Sequence, residues 1–450
     1  MKNSIAIRRE DLNKKGEKRV AVIPELAKTI IEAGHNLRVQ SQKHPETNEN
    51  KRAFSDSAYA DLGATITEDI AGARVVIGLK EVKTEYIAPN TTYLCFSHTH
   101  KAQIKNREML RTFKDRKTTL IDYELMVNAD KARVITAFTY FAGYAGMIDT
   151  LWTAGQRYAL AGQLHPFAAI PQSIETEDLN IIKKLIQDIG THISENGTPD
   201  DLPPFINVIL GQGKTSTGAQ EIYDILPVEN ITLAQIPEIY ANGDRKKVYK
   251  CVLGITEMFR LKAAASLPAH TYAALTIPQK ESHYFQHPSD FESNLQAILP
   301  YASILMNCIL WAPQFPRLLS RTFTKAQWEQ HQTLIAIGDI TCDPEGSIEF
   351  SQETWIDDPV FIYNPATNTS TLSMEGQGIA VMAVTNLPCE FSADASTEFS
   401  ANLSPYLPGI IAANYEASLE NSQLPEAIQK AVILWNGEFT PRYAYMQDYL

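Results

Sequence analysis

The chain has 450 residues, 44% hydrophobic and 20% charged, the balance of a globular protein with two or three cores. A formal net charge of −12 excludes a basic nucleic-acid surface and a polybasic membrane patch. The five cysteines are scattered without a C-x-x-C pair, no apolar run reaches the roughly 18 residues of a membrane span, and the N-terminus lacks a secretion signal. The expectation is a cytoplasmic protein in a reducing compartment, with no membrane or nucleic-acid partner.

A first strand, Ser4-Ile-Ala-Ile7, runs into Arg8-Arg9-Glu10-Asp11, and a lysine-rich loop follows as far as Arg19 and the apolar Val20-Ala-Val-Ile23. Pro24 opens a helix with Leu26, Ile30 and Ile31 at helical spacing, closed by Gly34. Leu37-Arg-Val-Gln is the next strand, and Tyr59, Leu62 and Gly63 mark a short helix. Three strands then end on titratable groups. Val75-Val-Ile-Gly78 delivers Lys80 and Glu81, and Thr92-Tyr-Leu-Cys-Phe96 delivers Ser97, His98, His100 and Lys101. Thr119-Leu-Ile121 delivers Asp122 and Glu124. With a helix at 104–113 in between, the rhythm predicts a parallel α/β domain, which places its chemistry at the C-terminal strand ends.

The small residues Ala142, Gly143, Ala145 and Gly146 mark a change of register, followed by a bridging helix over 147–160 and another over 178–196. After a proline-rich linker comes the strand Phe205-Ile-Asn-Val-Ile-Leu210, then Gly211-Gln-Gly213-Lys-Thr215-Ser216-Thr-Gly218. Strand, glycine-rich turn and helix start form the layout that sets backbone N–H groups against a pyrophosphate. The third glycine comes five residues after the second rather than three, so the spacing is not G-x-G-x-x-G. Gly211, Gly213, Thr215, Ser216 and Gly218 are the candidate cofactor residues, the hydroxyls being able to bond phosphate oxygens. An acid that binds ribose stands about 20 positions on in such folds, which points to Glu229. Its poor placement, with Arg245-Lys246-Lys247 nearby, leans toward NADP, with NAD as the alternative. Beyond Leu334-Ile-Ala-Ile-Gly338-Asp339, the tail reads as the strand 379–384 and two helices, at 396–407 and 424–434.

Lys80, Glu81, His98, His100, Asp122 and Glu124 admit three readings. His98-x-His100 with carboxylates suits Zn²⁺ or Fe²⁺, but Lys80, Lys101 and the loop arginines would repel a metal ion. Solvated loop ends with ordinary ion pairs are the bland reading. The catalytic reading fits best, because Lys and His tuned by Glu81 and Glu124 make an acid–base pair. No metal is expected.

Longer motifs carry a resemblance. Ile7-Arg-Arg9-Glu10, Arg19-Val-Ala, Gly78-Leu-Lys80-Glu81-Val, Phe96-Ser-His98-Thr-His100-Lys101-Ala-Gln103, Leu120-Ile-Asp122-Tyr-Glu124 and Phe141-Ala-Gly-Tyr-Ala-Gly-Met147 occur in order in the first third. Gly243-Asp-Arg-Lys-Lys-Val-Tyr, Pro316-Arg-Leu-Leu, Asp339-Ile-Thr and Asn386-Leu-Pro continue the match almost to the end. The chain resembles the lysine-forming saccharopine dehydrogenases. More specifically, it is similar to the lysine–ketoglutarate reductase half of the bifunctional animal and plant enzyme, within the alanine dehydrogenase/transhydrogenase superfamily. The family usually has Asp where this chain has Thr385, and often Asn in place of Lys214.

The resemblance implies an α/β chain of two Rossmann-like domains with parallel sheets flanking an active-site cleft. It places a substrate domain at 1–146, a dinucleotide-binding domain at 147–344, and a segment at 345–450 that returns to the first domain. It also implies reductive condensation of L-lysine and 2-oxoglutarate to saccharopine with NAD(P)H. Lys80 and His98 would be the acid–base pair and Glu81 and Glu124 would modulate it. Arg19 would hold a substrate carboxylate as a fork, helped by Arg9 and Lys101. Alternatives are reductive amination of another 2-oxo acid, as in alanine dehydrogenase, and a non-catalytic nucleotide sensor.

Overall fold

The computed structural model describes residues 3–44, 46, 47, 51–101 and 104–450. Its strands, in chain order, begin with β1 (Ile5–Ile7), β2 (Leu37–Gln40), β3 (Thr65–Thr67), β4 (Val75–Ile77), β5 (Thr92–Cys95) and β6 (Thr119–Asp122). Next come β7 (Ile206–Leu210), β8 (Val228–Asn230), β9 (Val248–Leu253), β10 (Phe259–Leu261), β11 (Phe291–Ser293) and β12 (Ile304–Asn307). The last are β13 (Ala336–Asp339), β14 (Val360–Asn364), β15 (Thr369–Leu372), β16 (Ile379–Met382), β17 (Val432–Trp435) and β18 (Glu438–Phe439).

The chain divides into two units, Met1–Phe138 with Ser392–Leu450, and Thr139–Phe391. The first holds an eight-stranded sheet in the order β18-β17-β6-β5-β4-β1-β2-β3, parallel from β6 to β3. β17 joins it antiparallel to β6. β1, β4, β5 and β6 are buried at every residue, as the near-continuous apolar runs of a parallel sheet covered on both faces require. The second unit has its own eight-stranded sheet, β15-β14-β16-β13-β12-β7-β9-β8, in which only β14 runs against the rest, antiparallel to both β15 and β16.

Two boundaries differ from the sequence reading. The helix expected from 147 begins at Ala137 and runs to Leu160, so the small residues lie inside it and do not separate domains. Gly143 and Gly218 are where that helix crosses the Lys214–Tyr223 helix. A Cβ on Gly143 would collide with the Thr215 carbonyl, and one on Gly218 with the Tyr140 carbonyl. The return to the first unit comes at Ser392 instead of 345, because β16 is needed as the parallel neighbour of β13 and β14 pairs on its far side.

The helix expected over 424–434 is also different. Only Glu426–Gln429 is helical, and 432–435 is β17. Ala431-Val-Ile-Leu is apolar on all sides, and a short run of that kind fits a buried strand as well as a helix. Ahead of both, Ser392–Leu403 forms a helix whose serines replace a strand partner for residues 20–23. Ser396 Oγ accepts the Val20 N–H (2.9 Å), and Ser400 Oγ accepts the Ile23 N–H (3.0 Å) while donating to the Ala21 carbonyl.

Candidate functional site

β4, β5 and β6 lie side by side, with Ile77 opposite Leu94 and Cys95 opposite Asp122. The groups that follow them therefore share one sheet edge. The turn after β5 is built on Asp122, which is fully buried. Its Oδ2 accepts the Ser97 N–H (3.0 Å), the Ser97 hydroxyl (2.5 Å) and the His98 N–H (3.2 Å). Its Oδ1 accepts the Glu124 N–H (2.8 Å). These bonds hold His98 in the left-handed region, at φ 52°, which an imidazole-bearing residue adopts only when its surroundings fix it.

The His98 ring meets Glu81, Nδ1 to Oε1 at 2.6 Å. Burial pushes the Glu81 carboxyl up, but the bond from His98 and the charges of His98 and Lys80 outweigh it and hold it at about 2. Glu81 is thus a carboxylate at neutral pH. A carboxylate partner can only accept, so it assigns the proton to His98 Nδ1 and leaves Nε2 outside this bond.

A second buried carboxylate fixes the neighbouring turn. Glu10 Oε1 accepts the Leu79 N–H (2.7 Å) and its Oε2 the Lys80 N–H (2.9 Å). Arg8 pairs with Glu10 at 3.1 Å and donates to the Lys80 and Glu81 carbonyls. The Lys80 ammonium lies 5.9 Å from the centre of the Phe96 ring. Its charge also helps hold Glu17 low. Lys80 and Glu81 border a cavity of about 420 Å³ shared with Lys14 and Lys105.

The remaining candidates are arranged differently from the expectation. Glu124 stands with His100 (3.6 Å), Lys101 (3.0 Å) and Arg133 (3.5 Å), so the structure splits the carboxylates between the two histidines. Arg19 gives its fork to Glu17, Nε to Oε1 at 2.9 Å and Nη2 to Oε2 at 2.7 Å, and both side chains are buried. Its guanidinium also covers the Phe138 ring at 4.4 Å. The fork assigned to a substrate carboxylate is thus occupied by a protein carboxylate. Arg9 bonds the Ser41 carbonyl and Glu68. Ala102 and Gln103 of the motif lie outside the described residues. Among the described residues, no group of three His, Cys, Asp or Glu side chains is placed to hold a metal.

In the second unit, β7 is followed by Gly211, whose φ of 98° is glycine's region, and Gly213 precedes the helix Lys214–Tyr223. No side chain caps that helix, which leaves its first-turn N–H groups for an anion, and the space beside the Gly213 Cα is open. A dinucleotide pyrophosphate fits this turn. The Thr215 carbonyl and Gly218 lie at the helix crossing, and Ser216 is buried and accepts from Gln220. Glu229 lies on β8 opposite Tyr249, with its carboxylate on Lys247 (2.7 Å). Arg245 bonds the Pro199 and Leu202 carbonyls. Both sit at the N-terminal edge of the sheet, the opposite end from Gly211, so neither can meet a ribose there. The NADP lean loses its ground.

Sequence reasoning gave no role to Arg8, Glu10, Glu17 or Arg133, and counted Asp122 in the titratable cluster without seeing that it holds the turn. The usable signal was a charged residue directly after a fully apolar strand, as at Arg8 and Asp122, since such a group is buried and must be paired.

Two mostly parallel sheets, one ending in an acid–base cluster and the other in a glycine turn and helix, define a nucleotide-dependent dehydrogenase architecture. Residues 6–145 match the alanine dehydrogenase/PNT N-terminal domain and residues 336–442 the corresponding C-terminal domain. The chain belongs to the alanine dehydrogenase/PNT family. It is 32% identical over 98% of its length to alpha-aminoadipic semialdehyde synthase of Arabidopsis thaliana, and covers 41% of that protein. The mitochondrial synthase of Rattus norvegicus is 31% identical, with 98% of this chain and 47% of the relative covered. The chain thus spans less than half the length of these relatives. An NAD⁺-dependent, L-lysine-forming saccharopine dehydrogenase of Yarrowia lipolytica is 23% identical over 87% of this chain and 88% of its own. Among solved structures, an L-alanine dehydrogenase superposes with a TM-score of 0.62 at 17% identity, covering 99% of this chain and all of that one, a likeness of fold. No helix among the described residues is long and apolar enough to cross a membrane.

Proposed function

We propose that the chain is a lysine-forming saccharopine dehydrogenase. The ε-amine of L-lysine adds to the keto carbon of 2-oxoglutarate, water leaves, and the resulting imine is reduced to saccharopine; the steps are reversible. The nicotinamide supplies or takes the hydride. The observation that carries the reading is the ionised Glu81 holding the His98 ring beside Lys80, in a chain 32% identical to a semialdehyde synthase. His98 Nε2 and the Lys80 ammonium divide the proton work. One takes the proton of the attacking amine, and the other gives its own proton to the departing hydroxyl, which leaves as water. Glu124, with Lys101 and Arg133 beside it, tunes the far side of the edge. Lys101 and Arg133 are about half-exposed or more, and so remain available to substrate carboxylates.

Supplying L-lysine, 2-oxoglutarate and either reduced nicotinamide should consume the nicotinamide absorbance. Turnover with ammonia and pyruvate but not lysine would replace this reading with an alanine dehydrogenase activity, and no turnover with any pair would remove the catalytic role.

A further inference from the structure

A parallel sheet needs cover on both faces. In the first unit one face of β1 and β4 has it, with Ile5, Ile7, Val75 and Ile77 in the same core as Leu26 and Ile30 of the Pro24–Glu32 helix. The other face, with Val76 of β4 and Tyr93 of β5, belongs to a separate core. On that side the chain passes from β3 to β4 without a helix, and from β4 to β5 through a single turn, Thr84–Tyr86. Residues 85–89 and the sheet face together line a cavity of about 600 Å³, within the roughly 300–1,000 Å³ of small-molecule sites. Its wall is tied in place. Tyr93 Oη accepts the Ala88 N–H at 2.7 Å and donates to the Tyr86 carbonyl at 3.1 Å, and Arg116 donates to the Ile87 carbonyl. Residues 86–88 are thus kept from folding inward to fill the space.

The lining is apolar at Val76, Val82, Ile87 and Pro89 and charged elsewhere. Of its cations, Arg8 meets Glu10 (3.1 Å), Arg9 meets Glu68 (2.6 Å) and Lys83 meets Asp11 (3.0 Å). Arg116 meets no carboxylate among the described residues, and Arg8 Nε is buried without an acceptor. On the acidic side, Asp69 accepts from the Ala71 N–H and Glu85 from the Thr84 hydroxyl. Neither stands at ion-pair distance from a cation among the described residues. An unpaired guanidinium and an orphaned donor suit a carboxylate, and unpaired carboxylates suit an ammonium.

We propose that this cavity is a second small-molecule site, which takes a free α-amino acid with an apolar side chain. The amino acid's carboxylate is held by Arg116, its ammonium by Asp69 and Glu85, and its side chain lies on the Val76 floor. The site is separate from the cavity at Lys80, but Glu10, Asp11, Glu81 and Val82 line both. An occupant would therefore lie against the back of the turn that Glu10 holds. The proposal does not depend on the reaction, since binding is measured without nucleotide or other substrate.

Calorimetric titration of the full chain with L-leucine should saturate, and L-leucine should raise the unfolding temperature. 4-Methylpentanoate, which lacks the amine, and 3-methylbutylamine, which lacks the carboxylate, should each bind about tenfold or more weakly. Asp69→Asn keeps an acceptor for the Ala71 N–H (2.8 Å), and Glu85 is exposed. The double variant Asp69→Asn with Glu85→Gln should thus unfold at the parent temperature and lose about tenfold or more in affinity for L-leucine. Ala71→Phe, at an exposed position of the lining, should block the site by bulk. No saturation by about 10 mM, beyond the millimolar range of weak specific binding, would overturn the proposal. Equal binding of 4-methylpentanoate would overturn the amino-acid assignment. Unchanged affinity in both variants would place L-leucine elsewhere and overturn the site.

Discussion

At the scale of single residues, the site edge is a set of buried carboxylates spent on backbone. Asp122 takes three backbone N–H groups and the Ser97 hydroxyl, and Glu10 takes two backbone N–H groups and the Arg8 guanidinium, so neither is a free acid or base. The proposed acid–base groups, Lys80 and His98, stand on the turns that these carboxylates hold. Lys80→Met and His98→Gln should each lower kcat by about 10²–10⁴, the range for a lost acid–base group, as read in steady-state assays with saturating substrates. Asp122→Ala should lower kcat through the left-handed His98 turn and also lower the unfolding temperature, since it leaves buried donors unpaired. Glu17 predicts an acid limit. Burial raises its carboxyl, but Arg19's charge and hydrogen bonds bring it to about 2 from an ordinary 4.5. A depressed carboxylate contributes stability above its unfolded value, which is lost as pH falls through the folded one. The contribution, on the order of 3 kcal/mol, should therefore fade between about pH 4.5 and pH 2 in denaturant titrations, and Glu17→Gln should flatten that slope. The acid–base pair was named from the sequence, but the supporting roles of Asp122, Glu10 and Glu17 were not legible there. Composition shows that a charge follows a strand, but not which backbone N–H will claim it.

At the scale of elements, the sequence was most informative where period and burial agree. The apolar runs of β1, β4, β5, β6 and β7 were readable because a sheet covered on both faces leaves no alternation to misjudge. It was least informative where a tertiary neighbour decides. Gly143 reads as a breaker until another helix is known to cross on it, and Gly218 reads as a phosphate residue for the same reason. Gly218→Ala should cost about 1–3 kcal/mol by overpacking against Tyr140, measured by denaturant unfolding. The Ala137–Leu160 helix also carries Asp149, buried with Glu390 and Ser173. Burial, and then the Asp149 charge, push the Glu390 carboxyl well above its ordinary 4.5, so the two carboxyls hold a proton between them. A raised carboxyl stabilises below its unfolded value and loses that stability as pH rises. Glu390→Gln should therefore raise the unfolding temperature more at pH 8 than at about pH 5. An equal change at both would show that the pair does not share a proton.

At the scale of the whole molecule, the two-sheet plan was legible and its boundaries were not. The interruption of the first unit between Phe138 and Ser392 depends on β17 pairing with β6 and on serines bonding residues 20–23. Neither leaves a local mark in composition. That discontinuity sets an order in time. Thr139–Phe391 is complete once its own residues have left the ribosome, whereas the first unit waits for the last of the chain. Until then β6 presents an unpaired edge, and the long loop to β17 makes its closure slow. Pulse-labelled hydrogen exchange during refolding should protect the amides of β7, β9 and β12 before those of β6 and β17. The half with the glycine turn would thus exist before the half with the His98 turn, and a chain released early would carry a glycine turn, an exposed strand edge and an unfinished first sheet.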